Sequence, residues 1–170
     1  MDRCEACGFD YYGFPRTKIG DRLRALAEDH VERLTETPAA FLREHPVEGW
    51  SALEYGCHVR DVLRVQAVRI QQAQLEESPT FVPMGRDELA ISDRYNEQDP
   101  NTVAAALEQA SGALIGLLAS FDDAGWARTG TYSYPEPALR DVDWIARHTV
   151  HELHHHLADV HHVLKAALET

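Results

Sequence analysis

His148-Thr149-Val150-His151-Glu152-Leu153-His154-His155-His156-Leu157-Ala158-Asp159 is the stretch on which both fold and chemistry turn. A helix advances about 100° per residue, so side chains at i and i+4 stand about 40° apart and can grip one ion. Among the histidines here only His151 and His155 have that spacing, with His148 three residues earlier on nearly the same line. A histidine tract also reads as a solvated polar face or an accident of composition, and the i, i+4 pair is what favours a metal. The fragment from His151 to His155 matches H-E-x-x-H, the helix motif of zinc proteases. Ala158 stands where the longer protease motif has a glycine, so His161 stays on the helix, about 9 Å of rise beyond His155. The protease reading is therefore set aside. Glu152 projects roughly 100° from His151 and is not assigned the proton-accepting role of that motif.

Two ligands on one helix need a third from another element. Working back along the chain, Ser51 and Glu54 form a capping-box pattern at the start of a helix running to about Glu77. His58 lies on the row of Glu54 and Val62, in a segment apolar enough to pack inward. A buried histidine there needs a polar partner. His58, His151 and His155 are thus the expected metal ligands, an open catalytic set of three imidazoles. Asp159, one turn after His155, is a candidate to hold a ligand imidazole in its tautomer. Arg147, one turn before His151, is a candidate to pair with a substrate carboxylate. Each reads equally well as a surface charge, as does Glu54 one turn before His58.

Two further helices complete the pattern. One spans Thr17 to Thr37, with Ile19, Leu23, Leu26, His30 and Leu34 at helical spacing before Pro38. Another spans about Thr102 to Phe121, and the histidine-rich helix is expected from Ala138 to Leu168. Residues 78–100 carry Pro79, Pro83, Gly85 and Pro100 and read as a long connection with one short helix near Glu88. A turn-rich stretch from Gly125 to Pro137 suggests a short extended segment around Tyr132 and Tyr134. The expectation is an all-α four-helix bundle over residues 17–170 with a long connection between the second and third helices. It is preceded by a cysteine-containing segment, residues 1–16.

A net charge of −12 offers no basic stripe for phosphates, so no nucleic-acid partner is expected. No apolar run is read as a membrane span, and no signal-peptide core follows Met1, so a cytoplasmic location is expected. Cys4, Cys7 and Cys57 are too few for a disulfide framework. Cys4-x-x-Cys7-Gly8 looks like half of a zinc knuckle. It is left open between a second metal site, a redox pair and surface thiols.

Taken together, Trp50-Ser51-x-x-Glu54-x-x-x-His58 and the later His151-x-x-His154-His155 resemble the DinB/YfiT-like superfamily of four-helix metalloproteins, over about residues 17–168. The resemblance implies a zinc or nickel ion held by His58, His151 and His155. It also implies a low-molecular-weight thiol as cosubstrate with a small electrophile, as in mycothiol or bacillithiol S-transferases and the mycothiol-dependent maleylpyruvate isomerase. The alternative it leaves is a metal-binding or stress-related protein without turnover. A homodimer is among the assemblies left open.

Overall fold

Ser51 ends one loop and begins a helix by exchanging two hydrogen bonds with Glu54. Its hydroxyl accepts from the Glu54 N–H at 3.2 Å, and the Glu54 carboxylate accepts from the Ser51 N–H at 2.8 Å. Two of the helix's orphan donors are satisfied in this way. The computed structural model describes residues 3–133 and 136–168. Its elements are α1 (Ile19–Glu36, entered through a 3-10 turn at Arg16–Lys18), α2 (Ala39–Leu42), α3 (Ala52–Leu75) and α4 (Arg86–Ser92). A 3-10 turn at Tyr95–Glu97 leads to α5 (Pro100–Ala119) and α6 (Asp123–Trp126), then β1 (Thr129–Tyr132), β2 (Ala138–Asp141) and α7 (Val142–Leu168).

The bundle is built from α1, α3, α5 and α7. Both α1 and α3 pack against α5 and α7, whereas α1 hardly meets α3, so the ring order is α1, α5, α3, α7. Leu23, Leu26, Leu53, Leu63, Leu107, Leu114, Val150 and Leu153 are fully buried between them. Each such side chain contributes roughly 2 kcal/mol by leaving water. The four-helix architecture expected from the sequence is therefore the one observed.

Two helix starts differ from the sequence expectation, each for a local reason. The last helix starts at Val142 because residues 138–141 pair antiparallel with β1, from Tyr132 opposite Ala138 to Thr129 opposite Asp141. Asp141 then caps the helix by accepting from the Trp144 N–H at 2.7 Å. The third long helix starts two residues early because Asp99 caps it and Pro100, which needs no N–H partner, fills its first position. Tyr132 lies in the short strand as expected, and Tyr134 is outside the described residues. By length and composition α5 is apolar enough to cross a membrane, with a mean hydropathy of 1.4, contrary to the sequence expectation. Here it forms one wall of the bundle, with Val103, Leu107, Leu114 and Leu118 buried.

The cysteine-containing segment does not stand apart from this bundle. Arg3 and Asp10 bridge antiparallel around a turn at Cys4–Gly8, and Gly8 takes a left-handed φ of 74° there. Phe9 and Tyr11 are buried against α7. Arg147 on α7 donates to the Tyr11 carbonyl at 2.7 Å, which fastens the segment down.

Candidate metal centre

His58 sits in the second turn of α3 with 3% of its surface exposed, and its Nδ1 is buried without a hydrogen-bond partner. The residues that meet it come from α7, and they are Glu152 and His156. The ligand atoms of these three lie within 4.8 Å of one another. Glu152 Oε2 stands 3.9 Å from His58 Nε2 and 3.6 Å from His156 Nε2. The rings of His58 and His156 meet edge to face with centroids 4.8 Å apart. Trp50 packs against the other side of His58 at 5.1 Å, and Tyr55 stacks on His156 at 5.4 Å. The Arg86 guanidinium lies 5.8 Å from the centre of the Trp50 ring, at the solvent side.

The sequence expectation placed His151 and His155 beside His58, and the structure does not bring them there. Both belong instead to a second group with Cys4 and Cys7, whose four ligand atoms also lie within 4.8 Å of one another. Among the described residues, no such group contains His58 together with His151 or His155. The reason is angular. The inward stripe of α7 carries Leu153, Leu157, Val160 and Leu164, and His156 flanks it. His151 and His155 fall on the far side of the helix, where the N-terminal segment covers them.

Of the two residues expected to assist, Asp159 is placed at the cluster and Arg147 is not. Asp159 Oδ2 is 2.8 Å from His156 Nδ1 and 3.7 Å from His155 Nε2, so it orients the imidazole that faces His58. Arg147 is consumed by an ion pair with Asp143 at 2.7 Å and by the Tyr11 carbonyl. Glu54 is likewise engaged, by its cap and by His45 Nε2 at 2.9 Å.

Glu152 is the residue that sequence reasoning passed over. Its second oxygen, Oε1, faces His151 Nδ1 at 3.2 Å, without hydrogen-bonding alignment, and His148 Nε2 at 3.7 Å. His148 in turn shares a 2.8 Å hydrogen bond with the Tyr11 hydroxyl through Nδ1. A carboxylate with four imidazoles around it is a concentrated negative point. Burial favours its neutral acid, yet contacts to His151, His156 and His58 hold it ionised well below the usual carboxylate range. His156 is also buried, but hydrogen bonding to Asp159 and Glu152 outweighs that and pushes it up to about 9. Burial dominates at His58, which is lowered despite Glu152, and at His148, lowered to about 4. Cys4 falls to about 6, because the Cys7 N–H and the His151 side chain overcome its burial.

Two surface hollows of about 350 Å³ each lie away from these residues, one beside His161 and Leu164 and one between Arg69 and Val82. The cluster itself is mostly covered, with His58 and His156 buried and the Glu152 side chain 20% exposed. Two imidazoles and one carboxylate form a recognised three-ligand set for a divalent ion, and the orphaned His58 nitrogen and the anionic Glu152 fit such an ion.

Fold and side chains together define a helical bundle with a histidine–carboxylate cluster gripped between its second and last long helices. The sequence profile of the DinB superfamily matches residues 20–160, and the chain belongs to that superfamily. No curated protein gives a sequence match. Among solved structures the chain is similar to YfiT from Bacillus subtilis, described as a probable metal-dependent hydrolase with an unusual four-helix bundle topology. The TM-score is 0.80 at 18% identity, covering 89% of this chain and 86% of that one. It is also similar to the mycothiol-dependent maleylpyruvate isomerase, with a TM-score of 0.72 at 16% identity. That likeness covers 88% of this chain but only 62% of the isomerase. At such identities the likeness is one of fold.

Proposed function

We propose that this protein is a metal-dependent enzyme whose divalent ion is held by His58, Glu152 and His156, and that a low-molecular-weight thiol is its cosubstrate. The observation that carries the reading is the ionised Glu152 carboxylate, one-fifth exposed, set between two buried imidazoles from different helices. When bound, a zinc or nickel ion supplies Lewis acidity that favours the thiolate form of a thiol reaching it. The chain's own residues do the rest. Asp159 holds His156 in the tautomer that presents Nε2 inward. Trp50 excludes water from one side of His58, and Tyr55 does the same for His156. Arg86 takes the role first given to Arg147, a guanidinium at the rim able to pair with a carboxylate on the thiol or the electrophile. A thiol of the mycothiol or bacillithiol type suits this arrangement, and the reading carries with it a reducing, cytoplasmic setting.

The second reading, metal binding without turnover, is favoured by how deeply Trp50 covers His58. One experiment separates them. The zinc- or nickel-loaded protein is assayed for conjugation of a panel of small thiols to a generic alkylating electrophile, beside metal-stripped protein and the His58→Gln variant. Conjugation that requires both metal and His58 supports the enzyme. Metal retention with no conjugation above the stripped control replaces it with the binding protein.

A further inference from the structure

The N-terminal Cys4-x-x-Cys7 pair and the His151-x-x-x-His155 pair on α7 form a group that the reading above does not use. We infer that Cys4, Cys7, His151 and His155 make a second, closed, four-ligand site for a zinc-class ion, which clasps the N-terminal segment onto the outer face of α7.

Four observations converge on it. The spacing C-x2-C with H-x3-H is that of a structural zinc site. The four ligand atoms already lie within 4.8 Å of one another, and Cys4 Sγ is 3.8 Å from His155 Nδ1. Ligand atoms around a tetrahedral zinc stand roughly 3.5 Å apart, so only small shifts separate this arrangement from coordination. Both ring nitrogens of His151 are buried without an aligned hydrogen bond; Nδ1 faces Glu152 Oε1 at 3.2 Å, and ligation through Nε2 satisfies the other. The backbone is shaped as a knuckle as well. The Gly8 N–H donates to the Cys4 carbonyl at 2.8 Å, and the Cys4 N–H donates to the Phe9 carbonyl at 2.9 Å. Gly8 supplies the left-handed φ that this tight return requires.

Cys4 and Cys7 are free thiols rather than a disulfide. With two sulfurs and two imidazoles the coordination shell is complete, so no position remains for a substrate. The site is therefore structural, and it shares no ligand with the His58 cluster. Glu152 and Asp159 each stand beside a histidine of both groups, so the site is told apart from the proposed enzyme centre with His58→Gln, which touches neither Cys4, Cys7, His151 nor His155.

The test uses the full, untagged chain. Zinc-loaded protein is titrated with Ellman's reagent before and after a chelator, and the cobalt-substituted protein is examined for sulfur-to-cobalt charge-transfer absorption. The expected result is that Cys4 and Cys7 resist the reagent until zinc is removed. Cobalt should give intense tetrahedral and charge-transfer bands that persist in His58→Gln and vanish in Cys4→Ser/Cys7→Ser. Two results would overturn the inference: equal thiol reactivity with and without zinc, or a cobalt spectrum lacking thiolate absorption. Isolation of a Cys4–Cys7 disulfide from reduced, zinc-supplemented cells would do the same. The thiol titration needs no variant, so a poorly folding double mutant does not blunt it.

Discussion

α7 presents two faces one residue apart, and they differ in kind. On one, Glu152 and His156 turn toward α3 and meet His58 beside the hydrophobic stripe. On the other, His151 and His155 turn away from the core and meet Cys4 and Cys7. The first face has three ligands, all oxygen or nitrogen, with a partly exposed carboxylate. The second has four, half of them sulfur. Three ligands with an open side suit reaction, and four with none suit structure. The same helix thus carries a candidate reactive centre inward and a candidate clasp outward. The N-terminal segment is the reason His151 on the outer face is buried, while His155 keeps 28% of its side chain exposed.

The largest effect expected from breaking this arrangement comes from the clasp. In Cys4→Ser/Cys7→Ser the N-terminal segment should lift from α7 and expose Phe9 and Tyr11. Each of those aromatic side chains is worth roughly 2 kcal/mol of burial, so about 4 kcal/mol should be lost. For a chain of this size that corresponds to a melting temperature lower by roughly 10 °C, measurable by calorimetry. An unchanged melting temperature would show that the segment is held by packing alone.

Acid should act next, and His30 in the core contributes to it beside His58 and His148, whose imidazoles burial also lowers. Burial holds the His30 imidazole at about 4, while its Nε2–H donates to the Leu153 carbonyl at 3.0 Å. Above the unfolded-state pKa of about 6.5 both states are neutral and His30 costs nothing. As pH falls from there toward 4, the unfolded chain binds a proton that the folded chain refuses. Stability should drop by roughly 3 kcal/mol over that window. His30→Gln, which keeps an N–H for the carbonyl, should flatten the slope in urea unfolding measured from pH 7 to pH 4. His58 and His148 should leave a residual slope in the variant, and a slope identical to wild type would contradict the share given to His30.

Removing Arg147 sharpens the contrast between structural and functional side chains. Arg147→Ala deletes a part-buried ion pair to Asp143 and the tie to Tyr11, so about 2 kcal/mol of stability should go. Thiol conjugation by the folded, metal-loaded variant should match wild type. A selective loss of activity would return Arg147 to the role the sequence first suggested.

The bundle was legible in the sequence because each long helix announces itself. Ser51 and Glu54 mark the start of α3, Pro38 marks the limit of α1, and the apolar periodicity does the rest. The short β-hairpin was not, since four residues of strand at Ala138–Asp141 look like the first turn of a helix until their partners are known. The burial of His58 was legible from the apolar pattern around it. On α7 the residues that face His58 are one position on from the pair the sequence singled out, because i, i+4 arithmetic identifies partners on a face and says nothing of where that face points. Two signals resolve the ambiguity. Leu153, Leu157 and Leu164 put His156 near the core and His151 far from it, and Glu152 with His156 is itself an i, i+4 pair. The unfinished Cys4–Cys7 half-knuckle also calls for two more ligands, and His151 and His155 are the residues that lie beside it.

The smallest effect expected is at Asp159. Asp159→Asn should weaken metal binding at the His58 cluster by roughly tenfold while leaving the melting temperature nearly unchanged, because only the orientation of His156 is loosened. A competition titration against a colorimetric chelator reads the shift. No change in affinity would mean that Asp159 serves only as a surface partner.

Elemental analysis of four untagged proteins tests the central claim of two separate sites most directly. Wild type should carry two divalent ions per chain. Glu152→Gln and His58→Gln should each keep one ion, with Cys4 and Cys7 still protected, and Cys4→Ser/Cys7→Ser should keep one ion that depends on His58. A single ion in wild type, lost alike from His58→Gln and from the cysteine variant, would contradict the account and merge the two faces of α7 into one centre.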